Sequence, residues 1–480
     1  MNTQQKSSDT VIVGLGTTGL SVARYLANQQ RGFTVVDSRL NPPCADELAA
    51  MEQTSGSPIA HHFGSFDGAL FSKAKQLIVN PGIAVSTPEI AEAKVSGAEV
   101  IGDIELFARE VNVAQPSVPV VAITGSNGKT TVTTLLDFMA KKAGVKVGTG
   151  GNIGTPALEL IEDKDSELFI LELSSYQLET TPSLQTLAAV ILNVSEDHLD
   201  RYENDIEQYA KAKALIYKNC EHIVFNREDD YSSDFACQSA LDSSVMKSLV
   251  SFGFNQPDSG DFGLRTDTNT NEEWLAKGEE LLMPVSNIKQ PGRHNIANSL
   301  AALALGEVAG LPMLAMLEAL EEFSGMAHRT EWVAEIHNVN WYNDSKGTNV
   351  GATLAALSGL PGKTVLIAGG QGKGADFLPL QNVITEKARA VVLMGEDAEK
   401  IAKFVDQSIP VKFVSSMEQA VSEAHKLVNS EENDNVLLSP ACASFDMFNN
   451  YIERGQKFIQ AVNELEKQLE QKIVKEDTCQ

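Results

Sequence analysis

The sequence is poor in cysteine and in positive charge, and each shortage excludes a class of protein. Only five of its 480 residues are cysteine, and none of them forms a CxxC pair. Neither a disulfide framework nor a zinc site is indicated, and a reducing compartment fits. Lysine and arginine number 38 against 64 aspartate and glutamate, which gives a formal net charge of -26. We therefore expect no nucleic-acid partner, although a few placed cations and backbone N–H groups suffice to hold a small anion.

Long apolar runs are also missing. The most apolar stretch, LAALALGEVAGLPMLAML from Leu300, is interrupted by Glu307 and Pro312, so it predicts a buried helix pair and not a membrane span. The first residues, MNTQQKSSDT, lack the apolar core of a signal peptide. We expect a cytoplasmic protein with no membrane partner.

Short apolar segments typical of strands alternate with longer helical patterns along the chain. Examples are TVIVGLG near the start, VPVVAITG in the middle and TVLIAGG near the end. Continuous apolar strands separated by helices predict parallel sheets that are covered on both faces. The strands fall into three sets, so we predict three α/β domains. They are a Rossmann-like domain over residues 1–108, a central P-loop ATPase-like domain with a mostly parallel sheet over 109–325, and a Rossmann-like C-terminal domain over 326–480.

The segment VAITGSNGKTTVT reads as a strand, a phosphate loop and the start of a helix. Gly125 and Gly128 permit tight turns that direct backbone N–H groups at phosphate oxygens, Lys129 adds a cation, and Thr130 offers a hydroxyl to Mg²⁺. Position 123 is Ile, so only the G-x-x-G-K-T part of the full pattern is present. The alternative is an ordinary glycine-rich turn, but the strand before and the helix after both favour nucleotide binding.

A second glycine pattern, GLGTTG, starts at Gly14 after the first predicted strand, and Asp37 ends the next strand. Alone it predicts a nicotinamide or flavin site in which Asp37 contacts a ribose. A dehydrogenase has no use for a second phosphate loop further along the chain. We therefore expect this domain to bind another nucleotide, such as one with a diphosphate link.

Acidic and histidine residues follow two central strands. Glu172 ends the strand in LELSSYQLE, and His198 lies just past the next one, in NVSEDHLDRY. Because the carboxyl ends of parallel strands lie at one edge of a sheet, we expect both beside Lys129, where they hold Mg²⁺. A solvated acidic loop is the alternative. Lys211 and Lys213, on a helical pattern nearby, are by spacing alone ordinary surface lysines.

Polar loops also follow three strands in the last third of the chain. WYNDSKGTN, GGQGKGADF and SPACASFDMF place Asp344, Lys346, Lys373 and Ser444 at one edge of one predicted sheet. Turn chemistry alone explains the glycines of these loops but not the repeated lysines.

Taken in order, TGSNGKTT, GGNIG, LELSSYQLE, NVSEDHLDRY, GRHNIANSLAAL, HRTEW, NDSKGTN, GGQGKGADF and LLSPACASFD resemble the motifs of the Mur ligase family. The resemblance implies an amide ligase of peptidoglycan synthesis. ATP would phosphorylate the carboxylate of UDP-N-acetylmuramoyl-L-alanine, and the amine of D-glutamate would open the acyl phosphate. The implied cofactors are ATP, two Mg²⁺ and a CO₂-derived carbamate on Lys213, with Lys211 as the alternative if the register is shifted. We expect a monomer.

The resemblance also implies roles for individual residues. The implied catalytic residues are Lys129, Glu172, His198, Lys213 and Lys346, and the implied metal ligands are Thr130, Glu172, His198 and Lys213. The implied ATP contacts are Gly125, Ser126, Asn127, Gly128, Lys129, Thr130, Thr131, Asn295, Arg329 and Asp344. The implied contacts to the UDP substrate are Thr17, Thr18, Asp37, Ser38, Arg39, Gly82 and Asn152. The implied D-glutamate contacts are Thr348, Lys373, Ser444, Phe445 and Tyr451.

Three alternative functions remain to be separated by experiment. A folate-linked glutamate ligase of the same family should lack the GLGTTG and DSR segments, which this chain has. A P-loop kinase or ATPase would need no amino acid, and a dehydrogenase would use the first glycine pattern. Asn80, Gln371 and Tyr451 depart from the residues usual in the family, which affects the rims of the pockets more than the reaction.

Overall fold

The structure is a computed structural model that describes residues 9–477 except 57, 67, 196, 198, 243–246, 291, 373 and 433. These residues form three successive α/β domains, each built on one mostly parallel sheet, which confirms the predicted fold class. The predicted domain boundaries stay predictions. The chain divides into two compact units, Met1–Val285 with Ala297–Ala319 and Ser286–Ile296 with Leu320–Gln480.

The N-terminal sheet is entirely parallel, with the order β3-β2-β1-β4-β5. Its strands are β1 (Thr10–Val13), β2 (Thr34–Asp37), β3 (Ala60–Phe63), β4 (Gln76–Val79) and β5 (Glu99–Ile101). The helices are α1 (Thr17–Asn28), α2 (Ala45–Ser55), α3 (Gly68–Phe71), α4 (Pro88–Val95) and α5 (Asp103–Val111). The strand order reverses between β1 and β4, and ligands of such sheets bind at that point. Thr17 and Thr18 begin α1 just after the loop that follows β1, and Gly82 lies in the loop after β4.

The central sheet has nine strands in the order β14-β13-β12-β11-β10-β9-β6-β8-β7. Its strands are β6 (Val120–Thr124), β7 (Val147–Gly151), β8 (Leu168–Glu172), β9 (Thr186–Ile191), β10 (Cys220–Asn226), β11 (Ser248–Phe252), β12 (Phe262–Thr266), β13 (Glu273–Lys277) and β14 (Glu280–Pro284). Strands β6 to β12 are all parallel to one another. Strands β13 and β14 extend the sheet beyond β12 as an antiparallel meander. Every residue of β6 and β8 is buried, and all are apolar except Thr124 and Glu172 at their carboxyl ends, so the two strands are covered on both faces.

Helices of this part of the chain are α6 (Lys129–Lys142), α7 (Ala157–Leu160), α8 (Ser175–Leu178), α9 (Ile206–Ala214), α10 (Asp230–Asp242), α11 (Arg293–Val308) and α12 (Met313–Glu322), with 3-10 turns at Leu199–Tyr202, Leu215–Tyr217 and Val285–Asn287. The apolar stretch from Leu300 is divided between α11 and α12, as predicted, because Pro312 cannot continue the first helix. Within the described ranges, no helix combines the length and the apolarity that a membrane span requires.

The C-terminal sheet has the order β15-β16-β20-β17-β18-β19, and only the β15–β16 pair is antiparallel. Its strands are β15 (Glu331–Ile336), β16 (Val339–Asn343), β17 (Thr364–Ala368), β18 (Ala388–Leu393), β19 (Val411–Phe413) and β20 (Asn435–Leu438). The helices are α13 (Val350–Gly359), α14 (Leu380–Lys387), α15 (Ala398–Ala402), α16 (Met417–Leu427) and α17 (Tyr451–Asp477), with a 3-10 turn at Ser430–Glu432. The loops after β16, β17 and β20 therefore open at one edge of the sheet, next to one another.

Helix α5 joins the N-terminal domain to the central one. The Phe107 ring meets the Phe169 ring of β8 edge-on, with centroids 5.3 Å apart. Glu105 is buried beside Phe107 and accepts hydrogen bonds from the backbone N–H (3.0 Å) and the hydroxyl (2.9 Å) of Ser183. These contacts fix α5 against the central sheet.

The first glycine pattern has a packing reason that is independent of any ligand. Gly14 has φ +98°, and a Cβ on Gly19 would lie 2.0 Å from the Gly14 carbonyl oxygen. No side chain fits between the loop and the first turn of α1, because the backbone segments are in contact.

We predict that Gly19→Ala lowers the free energy of unfolding of the N-terminal domain by about 3 kcal/mol, because the added methyl group forces the loop away from α1. Urea unfolding measures this loss. Gly68→Ala is the matched control, since a Cβ there meets no atom within 4 Å. Equal unfolding midpoints for the two variants would contradict the packing argument.

Candidate active site

The phosphate loop lies at the centre of the nine-stranded sheet. Strand β6 is flanked by β8 and β9, and Ile123 pairs with Glu172 on one side and Val190 on the other. The loop that joins β6 to α6 therefore emerges between the end of β8 and the segment after β9. The sequence predicted this common edge because the carboxyl ends of parallel strands lie at one edge of a sheet.

Two glycines and one asparagine shape the loop. Gly125 has φ +155° and Gly128 has φ +81°, a left-handed conformation in which a Cβ would lie 2.5 Å from Asn298 Oδ1. The backbone N–H of Asn127 donates to Asn193 Oδ1 (2.8 Å). Gly128 caps α6 without a side chain, so the first turn of this helix presents its amide groups as an anion site. The sequence pattern did not indicate Asn193, whose only signal is an amide two residues after the end of β9.

Two lysine side chains meet on one carbonyl of this loop. Lys129 Nζ donates to the carbonyl oxygens of Gly125 (2.7 Å) and Ser126 (2.9 Å). Lys213 Nζ donates to the same Gly125 oxygen (2.9 Å) from helix α9. Positive charges on both side chains would therefore repel each other across a single oxygen atom.

Lys213 is only 1% exposed, whereas Lys211 is exposed on the same helix. Burial, followed by the charge of Lys129, lowers the pKa of Lys213 to about 7, although Asp197 and Glu172 act in the opposite direction. Its amine lies 4.4 Å from the centre of the Tyr209 ring. Of the two lysines of α9, Lys213 is therefore the one that faces the phosphate loop. Tyr209 had no signal in the sequence beyond an aromatic residue near a lysine.

Glu172 and Asn152 form the acidic side of the site. Asn152 Nδ2 donates to Glu172 Oε1 (2.8 Å), and the Asn152 N–H donates to the Glu172 carbonyl (2.8 Å). Glu172 is 1% exposed, and its Oε2 has no hydrogen-bond partner among the described residues. An unpartnered buried carboxylate oxygen is costly without a cation, so Glu172 fits a Mg²⁺ ligand. Asn152 contacts Glu172 in the structure, and its predicted contact with the acyl substrate stays a prediction.

The metal-site prediction is only partly described. His198 and Lys373 lie outside the described residues. Thr130 is half-buried at the second position of α6, beside Thr131. Within the described part of the chain, no three His, Cys, Asp or Glu side chains are placed to hold a metal ion.

In the N-terminal domain, Asp37 is held by a fork of hydrogen bonds. Arg39 donates from Nε to Asp37 Oδ1 (2.8 Å) and from a terminal nitrogen to Oδ2 (2.7 Å), and the Leu15 N–H donates to Oδ2 (2.8 Å). Burial alone would raise the pKa of Asp37, but these bonds outweigh burial and lower it. Both carboxylate oxygens are occupied, which disfavours the ribose contact of a dinucleotide site. Thr17, Ser38 and Gly82 are exposed, and Thr18 is half-buried.

In the C-terminal domain, Asp344 directly follows β16 and is buried. It accepts hydrogen bonds from the Ser439 hydroxyl (2.6 Å) and the Thr330 N–H (3.1 Å). Burial raises the pKa of Asp344 to about 6, while its hydrogen bonds and the charge of Arg329 lower it in part. Lys346 Nζ lies 5.3 Å from the centre of the Tyr451 ring.

The remaining residues predicted to contact ATP or D-glutamate differ in how exposed they are. Phe445 is 64% exposed and Thr348 is exposed, whereas Ser444 and Asn295 are buried. Thr348 and Ser444 lie on the loops after β16 and β20, which are adjacent strands. Two of the predicted amino-acid contacts, Thr348 and Ser444, thus lie on neighbouring loops.

Comparison with known proteins gives matches along nearly the whole chain. Three family models match: a Mur ligase MurD-like N-terminal domain over residues 8–102, a Mur ligase middle domain over 123–306 and a Mur ligase glutamate ligase domain over 328–442. A UDP-N-acetylmuramoylalanine–D-glutamate ligase from Nitrosococcus oceani is 49% identical over 463 residues, covering 96% of this chain and 98% of the relative. One from Marinobacter nauticus is 48% identical, covering 94% and 96%.

Solved structures share the fold at low sequence identity. A UDP-N-acetylmuramoyl-L-alanyl-D-glutamate–2,6-diaminopimelate ligase superposes with a TM-score of 0.58 at 18% identity, covering 81% of this chain and 92% of its own. A pseudomurein peptide ligase type C from Methanothermus fervidus gives 0.53 at 18%, covering 94% and 99%. At this identity the likeness concerns the fold alone.

Proposed function

The chain belongs to the Mur ligase family and is an ATP-dependent ligase, and on that premise we propose that it joins D-glutamate to UDP-N-acetylmuramoyl-L-alanine in peptidoglycan synthesis. The observation that carries the proposal is the near-complete coverage by relatives named for this reaction at 46–49% identity. We also propose that the protein is a monomer and that it acts in the cytoplasm, where ATP and nucleotide sugars are present.

The reaction has two balanced steps. A carboxylate oxygen of the alanyl group attacks the γ-phosphorus of ATP, which forms an acyl phosphate and releases ADP. The amine of D-glutamate then attacks the acyl carbon, an amide bond forms, phosphate leaves and the amine loses a proton. Phosphoryl transfer mainly requires positioning and neutralisation of charge. Lys129 and the amide groups at the start of α6 supply both at the phosphate loop.

The residues that would hold Mg²⁺ are Thr130, Glu172, His198 and a carbamylated Lys213. When bound, the two ions neutralise charge on the phosphate oxygens. The unpartnered, buried Oε2 of Glu172 supports this assignment, because a cation would satisfy it.

Carbamylation of Lys213 resolves the repulsion at the phosphate loop. The neutral amine adds to CO₂ and releases one proton, which gives an N-carboxylate with a negative charge. The carbamate on Lys213 would then place a negative charge beside the positive charge of Lys129, where the unmodified, protonated lysine would place a second positive charge. Burial supports the step, since it favours the neutral amine that reacts.

The substrate contacts are assigned to the outer domains. We place the uridine diphosphate at the reversal of strand order in the first sheet, near Thr17, Thr18, Asp37, Ser38, Arg39 and Gly82, with Asn152 towards the acyl group. We place ATP against the phosphate loop with Asn295, Arg329 and Asp344 as further contacts. Lys346 is assigned to the reacting groups, and D-glutamate to Thr348, Lys373, Ser444, Phe445 and Tyr451.

A substrate-dependence assay tests the function. We expect ADP release only when ATP, UDP-N-acetylmuramoyl-L-alanine and D-glutamate are all present, and no release with L-glutamate or other amino acids. Release with a folate acceptor would identify the folate-linked alternative, and release without any amino acid would identify an ATPase. A change in nicotinamide absorbance would identify a dehydrogenase.

A further inference from the structure

The C-terminal domain buries an arginine that the proposed mechanism does not use. Arg454 lies in the first turn of α17 and is 2% exposed. A buried charge is costly unless it is paired and hydrogen-bonded. Within the described residues, no carboxylate is within hydrogen-bond distance of Arg454, and Asp446 and Asp344 act on it only at longer range. Desolvation lowers the pKa of Arg454 to about 10, so the guanidinium stays charged at neutral pH.

The guanidinium donates to loops that follow two adjacent strands. Its Nε donates to Ser345 Oγ (3.0 Å) and one terminal nitrogen donates to the Ser345 carbonyl (2.7 Å), both after β16. The other terminal nitrogen donates to the Cys442 carbonyl (3.1 Å), after β20. Ser345 Oγ in turn donates to the carbonyl of Tyr451 (2.7 Å), which ties the loop to the start of α17.

A third loop is packed against the same group. Gly370, which follows β17, has φ +129°, and a Cβ there would lie 3.4 Å from a terminal nitrogen of Arg454. Gln371 and Ala443 exchange two backbone hydrogen bonds (2.9 and 3.0 Å), so the loop after β17 is joined to the loop after β20. One side chain therefore fixes the spacing of the loops after β16 and β20 and packs against the loop after β17.

These loops carry the residues assigned to the incoming amino acid. Lys346 and Thr348 follow Ser345 by one and three positions, and Ser444 follows Cys442 by two. A planar guanidinium can donate in three directions at once, whereas a lysine offers a single point of charge. A hydrophobic residue of equal volume would leave the hydroxyl and carbonyl acceptors of the two loops without their donor.

We propose that Arg454 is a positioning residue that sets the distance between the loop after β16 and the loop after β20, which carry the residues assigned to the amino-acid pocket. The inference rests on the proposed function, because it concerns the D-glutamate half of that site. Arg454 acts through Ser345 and Cys442 and makes no contact with the substrate.

The test compares Arg454→Met, Arg454→Lys and Ser345→Ala with Lys426→Met, which removes an exposed charge from the same domain. We expect Arg454→Met to raise the KM for D-glutamate at least tenfold, with smaller increases for the other two pocket variants and none for the control. Formation of the acyl phosphate without D-glutamate, trapped by borohydride, should stay within threefold of wild type in every variant. An equal loss in this half-reaction, with the KM for D-glutamate unchanged, would overturn the proposal.

Hydrogen exchange gives a readout that is independent of activity. In Arg454→Met, amides of residues 344–348 and 440–446 should exchange faster than in wild type, while those of β17 stay protected. If the variant does not fold, Ser345→Ala serves in the same comparison, since it removes the acceptor of Arg454 Nε. Unchanged exchange in these loops would overturn the proposal that Arg454 positions them. A wild-type enzyme that ignores D-glutamate overturns the proposed function instead.

Discussion

Replacing Lys129 with alanine is expected to lower kcat by about 10³-fold, because the phosphate loop loses the cation that faces the transferred phosphoryl group. Lys129 is the first residue of α6, and its Nζ donates hydrogen bonds to the carbonyl oxygens of Gly125 and Ser126. The measurement is ADP release under saturating substrates, with ATP binding followed in parallel by calorimetry.

Lys141→Ala is the control for this prediction. Lys141 lies on the same helix, is largely exposed and pairs with Asp137 (2.8 Å). Its loss should leave kcat unchanged. The Lys129 variant should also fold normally, since Lys213 still donates to the Gly125 carbonyl. A near-normal rate for Lys129→Ala would remove the phosphate loop from the mechanism.

The sequence predicted the three parallel sheets because their strands are continuous apolar segments between helices. It did not predict the antiparallel meander of β12, β13 and β14 beyond the parallel strands. These strands include charged residues such as Arg265, Glu273 and Lys277 and lie at the edge of the sheet, where one face needs no apolar cover. A strand of this kind lacks the periodicity on which the prediction rests.

Strand order also explains which parts of the site the sequence could predict. Glu172 and the phosphate loop were predicted to share an edge, and the pairing of Ile123 with Glu172 places them on neighbouring strands. The choice between Lys211 and Lys213 could not be made from the pattern. Side chains two positions apart project from opposite sides of a helix, so the answer depends on how α9 packs against the loop.

Arg454 shows a second limit of the sequence. It lies in a helix rich in charged residues, where an arginine is expected to be solvated. Its partners, Ser345 and Cys442, are distant in sequence and supply mainly backbone carbonyls, which leave no pattern in the side chains. Only the packing of α17 against the strand ends brings these groups together.

Replacing Lys213 with alanine is expected to lower activity at least about 100-fold, because the site would lose the anionic oxygen donors of the proposed carbamate. Acetate or formate should restore part of the activity, since a small carboxylate fits the space that the lysine chain leaves beside Lys129. Steady-state ADP release against carboxylate concentration measures this rescue. Lys211→Ala is the matched control on the same helix and should be normal, because Lys211 is exposed.

The pH dependence separates a carbamate from a structural cation. With a pKa near 7, Lys213 is increasingly neutral above that pH and increasingly protonated below it. At fixed dissolved CO₂, wild-type activity should fall as the pH drops through 7, whereas Lys213→Ala with acetate should lack this step because acetate stays ionised. Lys213→Arg keeps the positive charge and cannot form the carbamate. Full activity in that variant would show that the site requires a cation, and the assignment of a second anionic ligand beside Glu172 would then be wrong.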